Sequence, residues 1–413
     1  MTRMRPALAL LAACAVSLAV PATAQLLPGV GVPLLPAVGP VEQTLQQTLD
    51  RSVETVRQTT TQLLQARSER IAGVLRERRK YVEADLNGQP AVRGELLLVD
   101  PDQATLAAAR AAGFAEVGAE RLGSLDMSIA RLQLPRSMSL AEGQNALLRV
   151  APAAEIAPDN LHFQSGRTVA REAVASAAAA APAIATPVGV IDGGPGRGEP
   201  VAATRGFAGG APAPSDHGGA VVSLLQGAGV SRVLAADVFG KDPAGGNALA
   251  IIRALDWLAA SGARVVSISL VGPRNAALQA AIAAVRRKGM VVVAPVGNDG
   301  PAAPPAYPAS YPGVLAVTGV DGRDRALIEA GRALHLDYAA PGADIRGRNK
   351  DGKEVRLRGT SYAVPLVAAR AAAALERGEA WQAALDREAV DLGPKGPDAQ
   401  FGRGLLCRGC ARR

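Results

Sequence analysis

Four residues far apart in the chain carry side chains suited to acyl transfer: Asp192, His217, Asn298 and Ser361. Ser361 ends Arg358-Gly359-Thr360-Ser361, directly before Tyr362-Ala363-Val364-Pro365-Leu366-Val367, an apolar, Ala-rich run that reads as a buried helix. A serine at a helix N-terminus faces free backbone N–H groups and the positive end of the dipole, which stabilise negative charge developing beside its oxygen. His217 opens a second apolar helix in Ser215-Asp216-His217-Gly218-Gly219-Ala220, where the glycines leave its ring accessible. It is one of three histidines, the others being His162 in the amino-terminal part and His335 before a short strand. Asp192 follows Val188-Gly189-Val190-Ile191, and Asn298 lies just past Val291-Val292-Val293-Ala294. Taken singly, each has a plain structural use, as a helix cap or a turn residue. Together they offer a nucleophile, a base, an acid to fix the base's tautomer, and an oxyanion donor.

The elements that must position them form an α/β pattern from Val188 onward. Strands are expected at Val188–Ile191, Val233–Val238, Arg264–Leu270, Met290–Ala294 and Val314–Val320, and helices at Gly218–Leu225, Ala248–Ala260, Asn275–Lys288 and after Ser361. Near-continuous apolar strands alternating with helices predict a doubly wound, mainly parallel sheet covered on both faces. In such sheets functional residues gather beyond the carboxyl ends of the strands.

Upstream, residues 94–164 read as a small β-α-β-β-α-β unit, a split, ferredoxin-like α+β module. Residues 165–186 are rich in Ala, Ser, Thr and Pro and read as a linker. Residues 41–86 carry apolar positions at three- and four-residue steps and predict an amphipathic helix, serving as a coiled-coil arm, a helix docked on the next domain, or a solvated helix without a partner. Its partner is open.

The 413-residue chain is 48% hydrophobic, enough for one large core plus a smaller domain. The net charge is +8, but the Arg67–Arg79 cluster lacks aromatic interleaving. It fits a solvated helix face and argues against nucleic-acid binding. A basic start, a short apolar run over 6–20 and Ala22-Thr23-Ala24 predict a signal peptide at 1–24 and no integral membrane span. The expected destination is secreted or periplasmic. Leu11-Ala12-Ala13-Cys14 also resembles a lipoprotein box, but the apolar run continues past Cys14. Residues 25–40 form a Gly/Pro-rich lead-in. Cys407 and Cys410 would then remain as candidates for a local disulfide; two ligands alone make no zinc site.

The order Asp192, His217, Ser361 is that of subtilisin, and residues 187–408 resemble a subtilisin-like serine peptidase. The resemblance rests on Val190-Ile191-Asp192, His217-Gly218, Ala254-Leu255-Asp256-Trp257, Ser267-Ile268-Ser269-Leu270, Gly297-Asn298-Asp299-Gly300, Ala339-Ala340-Pro341-Gly342, Gly359-Thr360-Ser361-Tyr362-Ala363-Val364-Pro365 and Phe401-Gly402-Arg403-Gly404. It implies a secreted serine endopeptidase made as a self-processing precursor. Asp192, His217 and Ser361 would be its catalytic residues, Asn298 its oxyanion donor, and Ser269, Leu270, Val271 and Gly272 its substrate-binding edge for polypeptides. The 94–164 module would be its inhibitory propeptide, with cleavage within 164–186. No cofactor and no metal are implied: the segment after His217 lacks the acidic, Asn-rich loop that binds calcium in many relatives. Gly193 and Gly219 stand where the family carries hydroxyl residues, and Val271, Pro295 and Val296 suggest a narrowed primary pocket. The competing expectation is a catalytically impaired binding or scaffold protein on the same fold.

Overall fold

The computed structural model describes residues 39–169 and 183–410, with side chains from 58 onward in the first helix. The expected signal peptide and Cys14 lie outside the described residues, as does the lead-in up to residue 38.

The first helix, α1, runs Gly39–Glu77. It therefore starts within the expected lead-in and stops nine residues short of Leu86. Chain pairing overrides the helical period: β1 (Val82–Ala84) pairs antiparallel with β2 (Pro90–Val99), Val82 opposite Val92. Asp85 organises the turn between them, its Oδ1 accepting from Asn87 N and Gln89 N at 2.8 Å each, while Gly88 takes φ +71°. Val74 and Leu75 of α1 pack with buried Val82, Leu161 and Ala244.

The module continues with α2 (Gln103–Ala111), β3 (Ala115–Leu122), β4 (Met127–Gln133), α3 (Leu140–Val150) and β5 (Glu155–Asn160). Its antiparallel sheet runs β5-β2-β4-β3, and β1 lengthens the unit beyond the expected start at Gly94. Alternation along β2 explains its unbroken apolar run. Leu96 and Leu98 face the core beneath α2 and α3, while Leu97 and Val99 join the main core of the second domain. A strand covered on both faces needs no polar positions.

Two short strands follow, β6 (Phe163–Gln164) and β7 (Arg167–Val169). The second domain adds β8 (Val188–Asp192), β9 (Ala203–Gly206), α4 (Asp216–Gly227), β10 (Val233–Asp237), α5 (Ala248–Ala260), β11 (Val265–Ile268), β12 (Leu270–Val271), α6 (Ala276–Arg287), β13 (Val291–Pro295), β14 (Leu315–Val320), β15 (Tyr338–Pro341), β16 (Ala343–Arg348), β17 (Glu354–Arg358), a 3-10 turn (Thr360–Tyr362), α7 (Ala363–Glu376) and α8 (Trp381–Glu388). Seven strands make a parallel sheet in the order β15-β14-β13-β11-β8-β10-β9. Helices α5 and α6 cover one face, α4 and α7 the other. The architecture is α/β and doubly wound, with the antiparallel module packed on α5 and α6.

Polar contacts add to that apolar packing. Asn275 Nδ2 donates to Pro158 O (2.7 Å) and Asn160 Oδ1 (3.0 Å), Asp159 Oδ1 accepts from Leu249 N (2.8 Å), and Arg253 forks onto Glu120 (2.7–2.9 Å). Cys407 and Cys410 are disulfide-bonded. His335 Nε2 donates to Val314 O (2.9 Å) and lies 3.4 Å from Asp337 Oδ2, and neither contact involves His217.

Candidate active site

Asp192 closes β8, and its side chain is fully buried. His217 occupies the first turn of α4, capped by Ser215, whose Oγ accepts from Gly218 N. The ring's Nδ1 lies 2.8 Å from Asp192 Oδ2 and 3.0 Å from Oδ1, and its Nε2 lies 3.0 Å from Ser361 Oγ. An ionised carboxylate can only accept, so Nδ1 carries the proton and Nε2 is free to take one from the serine. Ser361 reaches this point because the 3-10 turn places it directly before α7. The Tyr362 ring packs against the imidazole, 5.1 Å between centroids. Burial holds the Tyr362 phenol above its ordinary range, and so protonated.

Asn298 follows β13 through Gly297, whose φ of +85° favours glycine. Its Oδ1 accepts from Thr360 N at 3.0 Å, which aims Nδ2 the other way. Thr360 Oγ1 donates to Gly297 O at 3.1 Å and ties the two loops together. Asn298 Nδ2 donates to the carbonyl of Ser165, and Ser361 N donates to the same oxygen at 3.3 Å. Two convergent donors on one carbonyl, beside a serine hydroxyl held by a histidine, are the parts of an oxyanion site.

The residues before Ser165 lie extended along the cleft. In β6, Gln164 pairs with Leu270 and Phe163 with Val271 of β12, antiparallel, and His162 N donates to Gly246 O at 2.7 Å on the other side. His162 is fully buried over Gly272, where a Cβ would come within 2.5 Å of its ring. Burial brings the His162 imidazole down to about 4, so it is neutral there. Beyond Gly166, β7 pairs with β17. Residues 165–169 are therefore an ordered, paired segment and not part of a plain linker.

The expected substrate edge divides. Leu270 and Val271 pair with β6, and Gly272 exchanges backbone hydrogen bonds with Tyr307 (2.8 and 3.1 Å) while flooring the His162 site. Ser269 instead donates from Oγ to Ser361 O at 3.0 Å and braces the nucleophile's turn.

Both glycine departures have a steric reason. A Cβ on Gly193 would lie 2.5 Å from Ser215 Cβ and Oγ, and one on Gly219 would lie 3.2 Å from the Asn349 backbone. The space beside Asp192 is filled by Gln164, whose Nε2 donates to Asp192 Oδ1 at 2.8 Å, and Gly193 N donates to that same oxygen at 2.7 Å. Sequence reasoning missed Gln164, Ser215, Thr360 and Tyr362 as parts of the site. Only the capping position of Ser215 had a local signal.

The amino-terminal helix reaches the flank of this site. Arg70 Nη2 lies 2.8 Å and Arg67 Nε 3.4 Å from Asp299 Oδ2, and Leu63 packs over Gly300. Among the described residues, no cluster of three or more His, Cys, Asp or Glu side chains is arranged to hold a metal ion, and no helix is long and apolar enough to cross a membrane.

The sequence profile of the subtilase family (peptidase family S8) matches residues 206–404. Over 162 residues, or 38% of this chain, the sequence is 30% identical to a subtilisin of Bacillus pumilus and to subtilisin E of Bacillus subtilis. The match spans 59% of the former and 42% of the latter, less than two thirds of either relative. In fold, the chain is similar to the crystal structure of fervidolysin from Fervidobacterium pennivorans, a keratinolytic enzyme related to subtilisin, with a TM-score of 0.62 at 17% identity over 78% of this chain and 61% of that one. The second domain has a subtilisin-like α/β fold, and within it residues 206–404 are similar to the subtilase family.

Proposed function

We propose that this chain is a secreted serine endopeptidase made as a self-processing precursor. The observation that carries the proposal is one carbonyl, Ser165 O, accepting from Asn298 Nδ2 and Ser361 N beside the hydrogen-bonded row Asp192–His217–Ser361. Ser361 Oγ attacks a peptide carbonyl while His217 Nε2 takes its proton. Asp192 holds the imidazole in the needed tautomer and stabilises the imidazolium. Asn298 and the Ser361 N–H hold the oxyanion, and His217 then protonates the leaving amine. Polypeptide substrates add as a strand to Leu270–Val271, where main-chain hydrogen bonds supply sequence-tolerant affinity. The 82–164 module acts as the inhibitor, since its own continuation fills the cleft. Secretion is supported by the basic start, apolar run and Ala22-Thr23-Ala24.

The test is Ser361→Ala in the full chain expressed with its leader. The variant is expected to stay full length while the parent is cut, and a fluorophosphonate is expected to label the parent at Ser361 alone. An unlabelled, uncut parent would favour the non-catalytic scaffold reading.

A further inference from the structure

The geometry assigns the self-processing bond as Ser165–Gly166, with Gln164 acting as a positioning side chain that the substrate itself supplies to Asp192. This rests on the peptidase reading above and goes further by naming the bond and the residues that select it.

Three observations converge on that bond. First, Ser165 O is the atom between the two oxyanion donors, and no other carbonyl of the segment shares both. Second, pairing flanks the bond on both sides and fixes its register: β6 lies on β12 before it and β7 on β17 after it. A shift by one residue would turn every side chain to the opposite side. Third, Gly166 rests on the nucleophile. A Cβ there would overlap Ser361 Oγ and come within 2.8 Å of the Tyr362 ring, and a Cβ on Gly359 would in turn come within 2.7 Å of Gly166 Cα. Only glycine fits after the bond in this arrangement.

Gln164 adds a selection on the other side. Its amide donates to Asp192 at 2.8 Å through the gap that Gly193 leaves, and also lies 3.4 Å from Ser215 Oγ. Asp192 is fully buried, and a buried carboxylate without enough donors is costly. The donors visible here are the His217 ring, Gly193 N and Gln164. Gln164 thus completes the acid's hydrogen bonding only while substrate is bound. Ser165 is small and 5% exposed, so the side chain before the bond is enclosed.

The chemistry balances with water as the only co-reactant. Ser361 Oγ bonds to the Ser165 carbonyl carbon as its proton passes to His217. The bond to Gly166 N breaks, and that nitrogen receives the proton and leaves as an amine. Water then gives a proton to His217 and its oxygen to the acyl carbon, and the ester bond to Ser361 Oγ breaks as Oγ regains a proton. The products are a fragment ending in the Ser165 carboxylate and a chain beginning at Gly166.

The experiment is intact-mass and N-terminal analysis of the full chain over time. The parent is expected to yield a chain beginning at Gly166. Gly166→Ala is expected to slow that cut about tenfold or more by overpacking. Gln164→Met keeps the length without the donor and is expected to slow it about 10- to 100-fold, the range for a hydrogen bond to a charged group. Gln164→Glu should be slow at neutral pH, and its rate relative to the parent should rise as pH falls and the new carboxyl regains a proton to donate. A merely structural role for Gln164 would leave that ratio flat. A parent that labels at Ser361 but cuts elsewhere, or leaves this bond intact, overturns the assignment and spares the peptidase reading. A parent neither labelled nor cut overturns both.

Discussion

Asn298→Asp tests the oxyanion arrangement with little disturbance to the fold. The Asn298 amide does two jobs. Its Oδ1 accepts from Thr360 N at 3.0 Å, and its Nδ2 donates to Ser165 O. The aspartate keeps the first bond and loses the second, leaving Ser361 N, at 3.3 Å, as the remaining donor. Loss of one such donor lowers the rate about 10²- to 10³-fold, or about 2.7–4 kcal/mol, a magnitude established in subtilisin itself. The new carboxylate also repels the developing oxyanion, so the expected loss is at or beyond the upper part of that range. Asn298→Leu should lose a similar rate but also about 1–3 kcal/mol of stability, because fully buried Thr360 would keep an unpaired N–H. The assay is the fraction of full-length chain against time, read beside the melting temperature of each variant. An Asn298→Asp chain that melts like the parent and processes within about threefold of its rate would refute the reasoning.

Other expectations follow from the same structure. Burial raises the Asp159 carboxyl to about 7, against Leu249 N–H, Arg253 and Arg131, which pull it down, and with Glu95 adding to the rise. Its folded-state value lies above the ordinary 3.8, so its cost is absent at low pH and grows as pH rises from about 4 to 7. In the uncut Ser361→Ala background, Asp159→Asn should therefore raise the melting temperature by an amount that widens across that window; a constant difference would contradict this. In the chain freed of residues 1–24, and so of Cys14, alkylation should add two carbamidomethyl groups, at Cys407 and Cys410, only after reduction. Opening so short a loop should cost about 2 kcal/mol or less, so a large fall in melting temperature on reduction would count against this. A chelator should leave the melting temperature unchanged, since the segment after His217 continues as helix α4 and carries no acidic, Asn-rich loop; a calcium-dependent rise would contradict that reading.

The sequence alone determined the α/β class and singled out Asp192, His217, Asn298 and Ser361, which folding brings together around one carbonyl, because those signals are local. A β-strand ending in an acid, a helix opening on a histidine and a Gly-Thr-Ser turn before an apolar helix are each legible within ten residues. Helix α5 came out with its boundaries, since its apolar run begins after a capping Asn247 and ends before Gly262. Contacts between distant residues decided the rest. The helix expected through Leu86 ends at Glu77 because Val82 finds a strand partner at Val92. Strands β6 and β12 are two residues each, too short for any period, and exist only because each supplies the other's hydrogen bonds. Gln164 reads as an ordinary polar residue until folding brings it to Asp192, 28 positions away, through a gap that one glycine leaves. Sequence spacing shows which groups are available for chemistry, but which peptide bond they surround depends on close approach of chain segments, and that is fixed only by packing.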